Sequence, residues 1–402
     1  MAPAAAADPA GVADRTPAAV RAATPDVQIT PVTVEPTVVP QPVKATDGRT
    51  HLVYELVLTN MSPLPATVTG VSVTAPGATL ESLDGGRLLD VFRPSGAPAE
   101  QPPADTVLAP GRQGRVWLDA IVPPGTAFPL DLRHVIAVSY PKALGIIPAT
   151  VKEDVAPLRV PDRRPVVLQP PLDGDGWLDA NGCCATITAH RSSASPVDGS
   201  ALFGERFAID FVRLDKGGAL FHGPADQVRS YPYYGTPVRA AAAGRIVEVV
   251  DEYPDKTPGS STPDMPLAQY SGNHVVERLP SGEYVLYAHL RPGSTRGKVA
   301  PGMPVRAGDV LGELGSSGNS DAPHLHFEVM SAVNPFLSQG LPFVFSSFDL
   351  QGTLTPAALD ALLGSADGTL PGSPRPAARP DRTGEMPLYL DVLGFSGGSG
   401  GS

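Results

Sequence analysis

The chain has 402 residues, 42% hydrophobic and only 18% charged, with 42 Gly and 47 Pro; this suits two cores plus tails, built from short strands and turns rather than long helices. Its formal charge of -11, with no compensating basic block, argues against a nucleic-acid partner, because phosphates are held by Lys and Arg. The two cysteines, Cys183 and Cys184, are adjacent and give neither a disulfide framework nor a CxxC metal site, and no apolar run approaches the roughly 18 to 20 residues that span a bilayer.

Residues 1–26 are rich in Ala and Pro, bury little surface and are expected to be disordered. They lack an apolar stretch of their own and read as the mature N-terminus left after removal of a signal peptide. From 27 to 160, stretches such as HLVYELVLTN, ATVTGVSVTA, GRVWLDAIV and HVIAVSY alternate with period two between Pro, Gly and Asn clusters. That pattern predicts an antiparallel, immunoglobulin-like β-sandwich without its disulfide, in a chain that is mainly β. His51 and His134 fall inside these strand patterns and read as structural.

Residues 161–176 are proline-rich and read as a stiff linker. Strand patterns resume over 177–345 with ATITAHR, RFAIDFVRL, TPVRAAAAGRIVEVV, NHVVERL, EYVLYAHL, DVLGELG and HLHFEVM. The excursion EYPDKTPGSSTPDMPLAQYSG is too long for a hairpin turn and is expected to lie over a cleft. An extension over 346–395 offers one helix, TPAALDALLG, and one strand, MPLYLDVLGF, and residues 396–402 are a flexible Gly/Ser linker or tag.

The strongest chemical signal is His324-Leu325-His326, since residues two apart on a strand share a face and both imidazoles then point to one side. In EYVLYAHL the same rule puts Tyr287 and His289 on one face, with Leu286, Ala288 and Leu290 on the other. In RFAIDFV it puts Phe207, Ile209 and Phe211 on the apolar face and Arg206, Ala208 and Asp210 opposite. Two or three imidazoles with one carboxylate make a donor set suited to Zn²⁺.

The blocks GTPVRAAAAGRIVEV, GNHVVERLPSGEYVLYAHL, VRAGDVLGELGSSGNS and PHLHFEV, in this order over about a hundred residues, resemble the core of the lysostaphin and LytM type of zinc endopeptidases. The resemblance implies an extracytoplasmic, antiparallel β peptidase domain of barrel-sandwich type that holds one Zn²⁺ and cuts peptide bonds in peptidoglycan cross-links. By position it implies Asp210 and His326 as metal ligands and His289 and His324 as catalytic histidines. It also exposes a departure: the family has a ligand His four residues before the Asp, where this chain has Arg206. A guanidinium offers no lone pair and stays charged, so it cannot ligate zinc.

His190 is the candidate replacement. If ATITAHRSS and ALFGERFAID form one hairpin, a three-residue loop centred on Asp198 sets His190 opposite Arg206, on the metal face. A two-residue Asp198-Gly199 turn sets it opposite Phe207, on the other face. His222 reads as a surface residue and His274 has no assigned role. The Cys183-Cys184 pair reads as packing or a structural disulfide, because adjacent strand residues point apart and chelate poorly. The rival readings are a non-catalytic cell-wall module that has lost its metal, and a lipoyl-type carrier, for which Lys256 is poorly placed in a long loop.

Overall fold

The computed structural model describes residues 29–98, 101–184, 187–261 and 264–396. The segment expected to be disordered, 1–26, and residues 397–402 of the Gly/Ser tail lie outside the described residues. Among those described, β-strands predominate and the helices are short.

Two antiparallel sheets enclose the first core. One has the order Val32–Pro36, Thr50–Asn60, Gln113–Val122, Phe92–Pro94; the other runs Thr150–Val160, Leu130–Ser139, Ala66–Ala75, Ala78–Asp84. Strict alternation decides which side chains enter: along Leu130–Ser139 the residues Leu130, Leu132, His134, Ile136 and Val138 turn inward. They meet Leu52, Tyr54, Leu56, Val116 and Leu118 from the facing sheet. His134 is a core histidine, with Nε2 against the Tyr54 hydroxyl at 2.7 Å and Nδ1 against the Ala156 carbonyl at 2.8 Å.

The second core lies under a long antiparallel sheet. Its strands run in the order Gly244–Val250, Asn273–Arg278, Tyr284–Leu290, Leu325–Met330, Ile209–Arg213, Gly174–Ala180, Asp391–Phe395, Phe348–Thr353. The short pair Pro237–Arg239 and Val310–Glu313 supplies Val238 and Leu311 to the same core. Phe211, Tyr287, Leu325 and Phe327 fill it from the long sheet. Truncating a ring such as Phe327, fully buried here, to Ala would cost about 3–5 kcal/mol.

Two expected boundaries need correction. The segment read as a linker is packed: Val166–Leu168 pairs in parallel with Phe343–Phe345, and Leu168 and Leu172 are buried. Prolines on either side of a short apolar run suggest an open spacer, but the run itself is long enough to add a strand. The segment read as an extension is part of the sheet, because Asp391–Phe395 pairs with Gly174–Ala180 and Phe348–Thr353 pairs with Asp391–Phe395. Its helix, Pro356–Leu363, is capped by Thr355, whose side chain accepts the Ala358 N–H.

Candidate active site

Four adjacent strands lay down the floor of the site. Ala180, Asp210, His326 and Ala288 are cross-strand neighbours in successive pairs, so their side chains emerge in a row on one face. Leu325 and Phe327 turn to the core, which sends His326 and, just before the strand, His324 to the outer face. Asp210 lies between them, with Oδ1 3.0 Å from His326 Nδ1 and 3.3 Å from His324 Nε2.

His190 joins this group, but not by the route expected. The hairpin is only Ser195–Val197 against Ser200–Leu202, joined by the two-residue turn Asp198-Gly199, both with positive φ. Its ladder ends before His190, which sits on a short helix, Ala189–Ser192, started by Thr188 whose hydroxyl accepts the Arg191 N–H. Freed from the strand register, the imidazole places Nε2 3.2 Å from Asp210 Oδ2 and Nδ1 3.1 Å from the Ala208 carbonyl. His190, Asp210 and His326 offer ligand atoms that all lie within 4.8 Å of one another.

Arg206 is the second correction. It belongs to a 3-10 turn, Gly204–Phe207, so the strand alternation does not reach back past Ile209. Its guanidinium points away from the histidines and is buried against Glu55, at 3.0 and 2.7 Å, rather than paired with Asp210. Phe207 likewise leaves the apolar face of Ile209 and Phe211 and packs with Val43, Val53 and Met386.

A third correction concerns His289. Tyr287 is a core residue, its hydroxyl donating to Glu277 and accepting the Ala241 N–H, while Leu286 and Ala288 line the cleft. Alternation alone would bury His289 beside Tyr287; a φ of +61° breaks it and turns the ring into the cleft. There its centroid lies 4.6 Å from that of His324.

Hydrogen bonds fix which nitrogen each ring presents. Nδ1 of His190, His289 and His324 lies against the carbonyls of Ala208, Ser317 and Ala322 at 3.1, 2.8 and 2.8 Å, which leaves each Nε2 facing the site. Burial opposes charge on His190, but the Asp210 carboxylate outweighs it and raises the imidazole to about 10. Burial also opposes charge on His324, and Asp210 again raises it. Although burial works to raise Asp210, His190 and His324 hold it well below the usual carboxylate range. Burial together with His324 and His326 pushes His289 well below the usual imidazole range, so it is neutral.

The group opens into a cleft of about 910 Å³. Pro258, Gly259, Tyr270 and Ser271 of the long excursion line it, as do Leu359 and Leu363 of the C-terminal helix. Two contributors escaped the sequence reading. Glu328 lies on the histidine face, its Oε1 3.9 Å from His326 Nε2, and the spacing 324, 326, 328 was signal enough to find it. Asn181 donates to Asp210 Oδ2 at 2.9 Å from a loop that carries no pattern. His222 is on the surface with Asp215, and His274 bonds to the Gly272 carbonyl, both away from the site. Cys183 and Cys184 form a disulfide.

Residues 228–336 match Peptidase family M23; they include His289, His324 and His326, while His190, Arg206 and Asp210 lie upstream. The DD-carboxypeptidase/endopeptidase Mpg of Neisseria meningitidis serogroup B is 39% identical over 111 residues, 27% of this chain and 21% of that protein. Lysostaphin of Staphylococcus simulans is 31% identical over 128 residues, 30% of this chain and 22% of that protein. The chain thus spans about a fifth of the length of these curated relatives. A solved catalytic domain of the Staphylococcus simulans lysostaphin aligns with 41% of this chain and 86% of its own, at 22% identity and a TM-score of 0.23. On the segment match, this chain carries a domain of peptidase family M23.

Proposed function

We propose that the chain is a zinc-dependent endopeptidase of the cell envelope that hydrolyses peptide bonds in peptidoglycan cross-links. The observation that carries this reading is the convergence of His190, Asp210 and His326 within 4.8 Å at the base of an open cleft, beside His289 and His324. Two imidazole nitrogens and one carboxylate are a suitable donor set for a catalytic zinc, which keeps its fourth position for water. When bound, the ion would lower the pKa of that water and polarise the scissile carbonyl.

The chain's own residues supply the rest. His289 is neutral, and with Nδ1 bonded to the Ser317 carbonyl its Nε2 faces the cleft as a proton acceptor. The Asp210 carboxylate favours the charged form of His324, whose Nε2 lies 3.3 Å from it and faces the cleft, so this ring is placed to stabilise negative charge developing on the carbonyl oxygen. Asn181 steadies Asp210 from the side opposite His326. The reading as a non-catalytic module draws on the ligand missing at Arg206, and His190 beside Asp210 supports catalysis instead.

The test is digestion of purified peptidoglycan by the full chain, with new amino groups counted and zinc measured in the same samples. Hydrolysis that a chelator stops and added zinc restores is expected. A chain that retains zinc yet releases no amines, or one that hydrolyses equally well after complete metal removal, would overturn the proposal.

A further inference from the structure

Arg191 follows His190 directly, and it is tied almost entirely to the first core. Its Nη1 donates to Glu55 Oε1 at 3.0 Å, its Nη2 to the Leu118 carbonyl at 3.2 Å, and its Nε to the Cys184 carbonyl at 3.1 Å. Its own carbonyl accepts the Trp117 indole N–H at 2.8 Å. Glu55 and Trp117 are register partners on the strands Thr50–Asn60 and Gln113–Val122. On the first of these strands Tyr54 and Leu56 turn into the sandwich core, so Glu55, between them, leaves through the opposite face.

Glu55 is fully buried and also takes both arms of Arg206, four residues before Asp210. Thr37 donates to it at 2.7 Å. Burial opposes its charge, but Arg206 and Arg191 outweigh that and hold its carboxyl below the usual range. One carboxylate on the sandwich thus anchors the two segments that lead into the site: the short helix carrying His190 and the turn that opens the Asp210 strand. Val53, two residues before Glu55 and so on the same face of that strand, belongs to an apolar cluster with Val43, Cys183, Cys184, Phe207 and Met386.

We infer that Glu55 is a positioning residue of the metal centre, and that the sandwich is a structural part of that centre rather than an independent targeting module. The inference rests on the reading of His190, Asp210 and His326 as a zinc site. A helix of one turn cannot hold its own geometry in water. The ring of His190 is oriented by the Ala208 carbonyl, and the backbone that carries it is fixed through the neighbouring Arg191, gripped by Glu55, Leu118 and Trp117.

The experiment measures zinc affinity of the full chain by competition with a chelator, on samples shown to be folded by circular dichroism. The variants are Glu55→Gln, Trp117→Phe, His190→Ala and the pairing of each of the first two with His190→Ala. Glu55→Gln is expected to weaken zinc by about 10-fold or more, in the range typical of groups that orient ligands. Trp117→Phe keeps an aromatic ring and deletes the hydrogen bond to the Arg191 carbonyl, so it serves even if the Glu55 variant fails to fold; a smaller loss is expected. In the His190→Ala background Trp117→Phe should weaken zinc no further, whereas Glu55→Gln should keep only the part of its loss that runs through Arg206 to the Asp210 strand. Val71→Ala, in the sandwich core and away from Glu55, should lower the melting temperature and leave zinc affinity unchanged. A wild-type chain that binds no zinc defeats the metal-site reading and this inference together. A wild type that binds zinc while both variants bind it equally tightly, or while Trp117→Phe loses as much affinity without His190 as with it, defeats this inference alone.

Discussion

Among the described residues, two clusters of three bring histidine and carboxylate ligand atoms within 4.8 Å of one another, and they differ in what is left over. In the sandwich, both nitrogens of His51 are spent: Nδ1 lies 2.8 Å from Asp119 and Nε2 3.1 Å from Asp47. The nearby Cys184 is committed to its disulfide. On the outer face of the long sheet, Nδ1 of His190, His289 and His324 is taken by backbone carbonyls while each Nε2 faces the cleft, those of His190 and His324 converging on Asp210 at 3.2 and 3.3 Å. Ligand types in proximity therefore do not define a site. A site needs lone pairs that converge where a third party can enter.

Removing a ligand sharpens the contrast most. His326→Ala is expected to abolish zinc binding and hydrolysis, whereas His51→Gln leaves one zinc per chain; metal analysis after dialysis reads both. Equal zinc loss in the two variants would erase the distinction. His289→Ala should keep its zinc and lose about 10²–10⁴-fold in hydrolysis rate, since its imidazole acts on a proton rather than on the metal. Zinc loss as complete as in His326→Ala would reassign it as a ligand.

The closed cluster should instead report on stability. Burial opposes charge on His51, but Asp119 and Asp47 outweigh it and raise the imidazole to about 9. Because the folded value lies above the unfolded one, the stability this confers is fully present below about pH 6.5 and fades as the pH rises through about 9. The gap in unfolding free energy between wild type and His51→Gln should shrink by on the order of 2 kcal/mol from pH 6 to pH 10. Denaturant titrations at several pH values measure it, and a gap independent of pH would contradict the charged pairing. The smallest effect is expected at His222, exposed and paired only with Asp215. His222→Ala should change stability by less than about 0.5 kcal/mol and leave hydrolysis unchanged.

Much of this was legible in the chain because strand periodicity is a local rule. Alternation placed Asp210, His324 and His326 on one face, and the sheet brings them together as the pattern demands. The rule misled where backbone departs from a strand. His289 reaches the cleft through a positive φ, and His190 through one turn of helix, and neither conformation is written in the apolar spacing. Arg206 could be excluded as a ligand from its chemistry, but its partner Glu55 lies 151 residues away on a different sheet. The place of Asp391–Phe395 in the sheet is hidden for a similar reason, since its neighbour Gly174–Ala180 lies about 200 residues earlier in the chain.

The central claim is that His190 supplies the ligand that Arg206 cannot. A crystal structure of the zinc-loaded chain tests it most directly. The account predicts one ion with an imidazole nitrogen of His190, an oxygen of Asp210 and an imidazole nitrogen of His326 each at about 2.0–2.2 Å. An ion held by Asp210 and His326 with His190 remaining outside bonding range would contradict it.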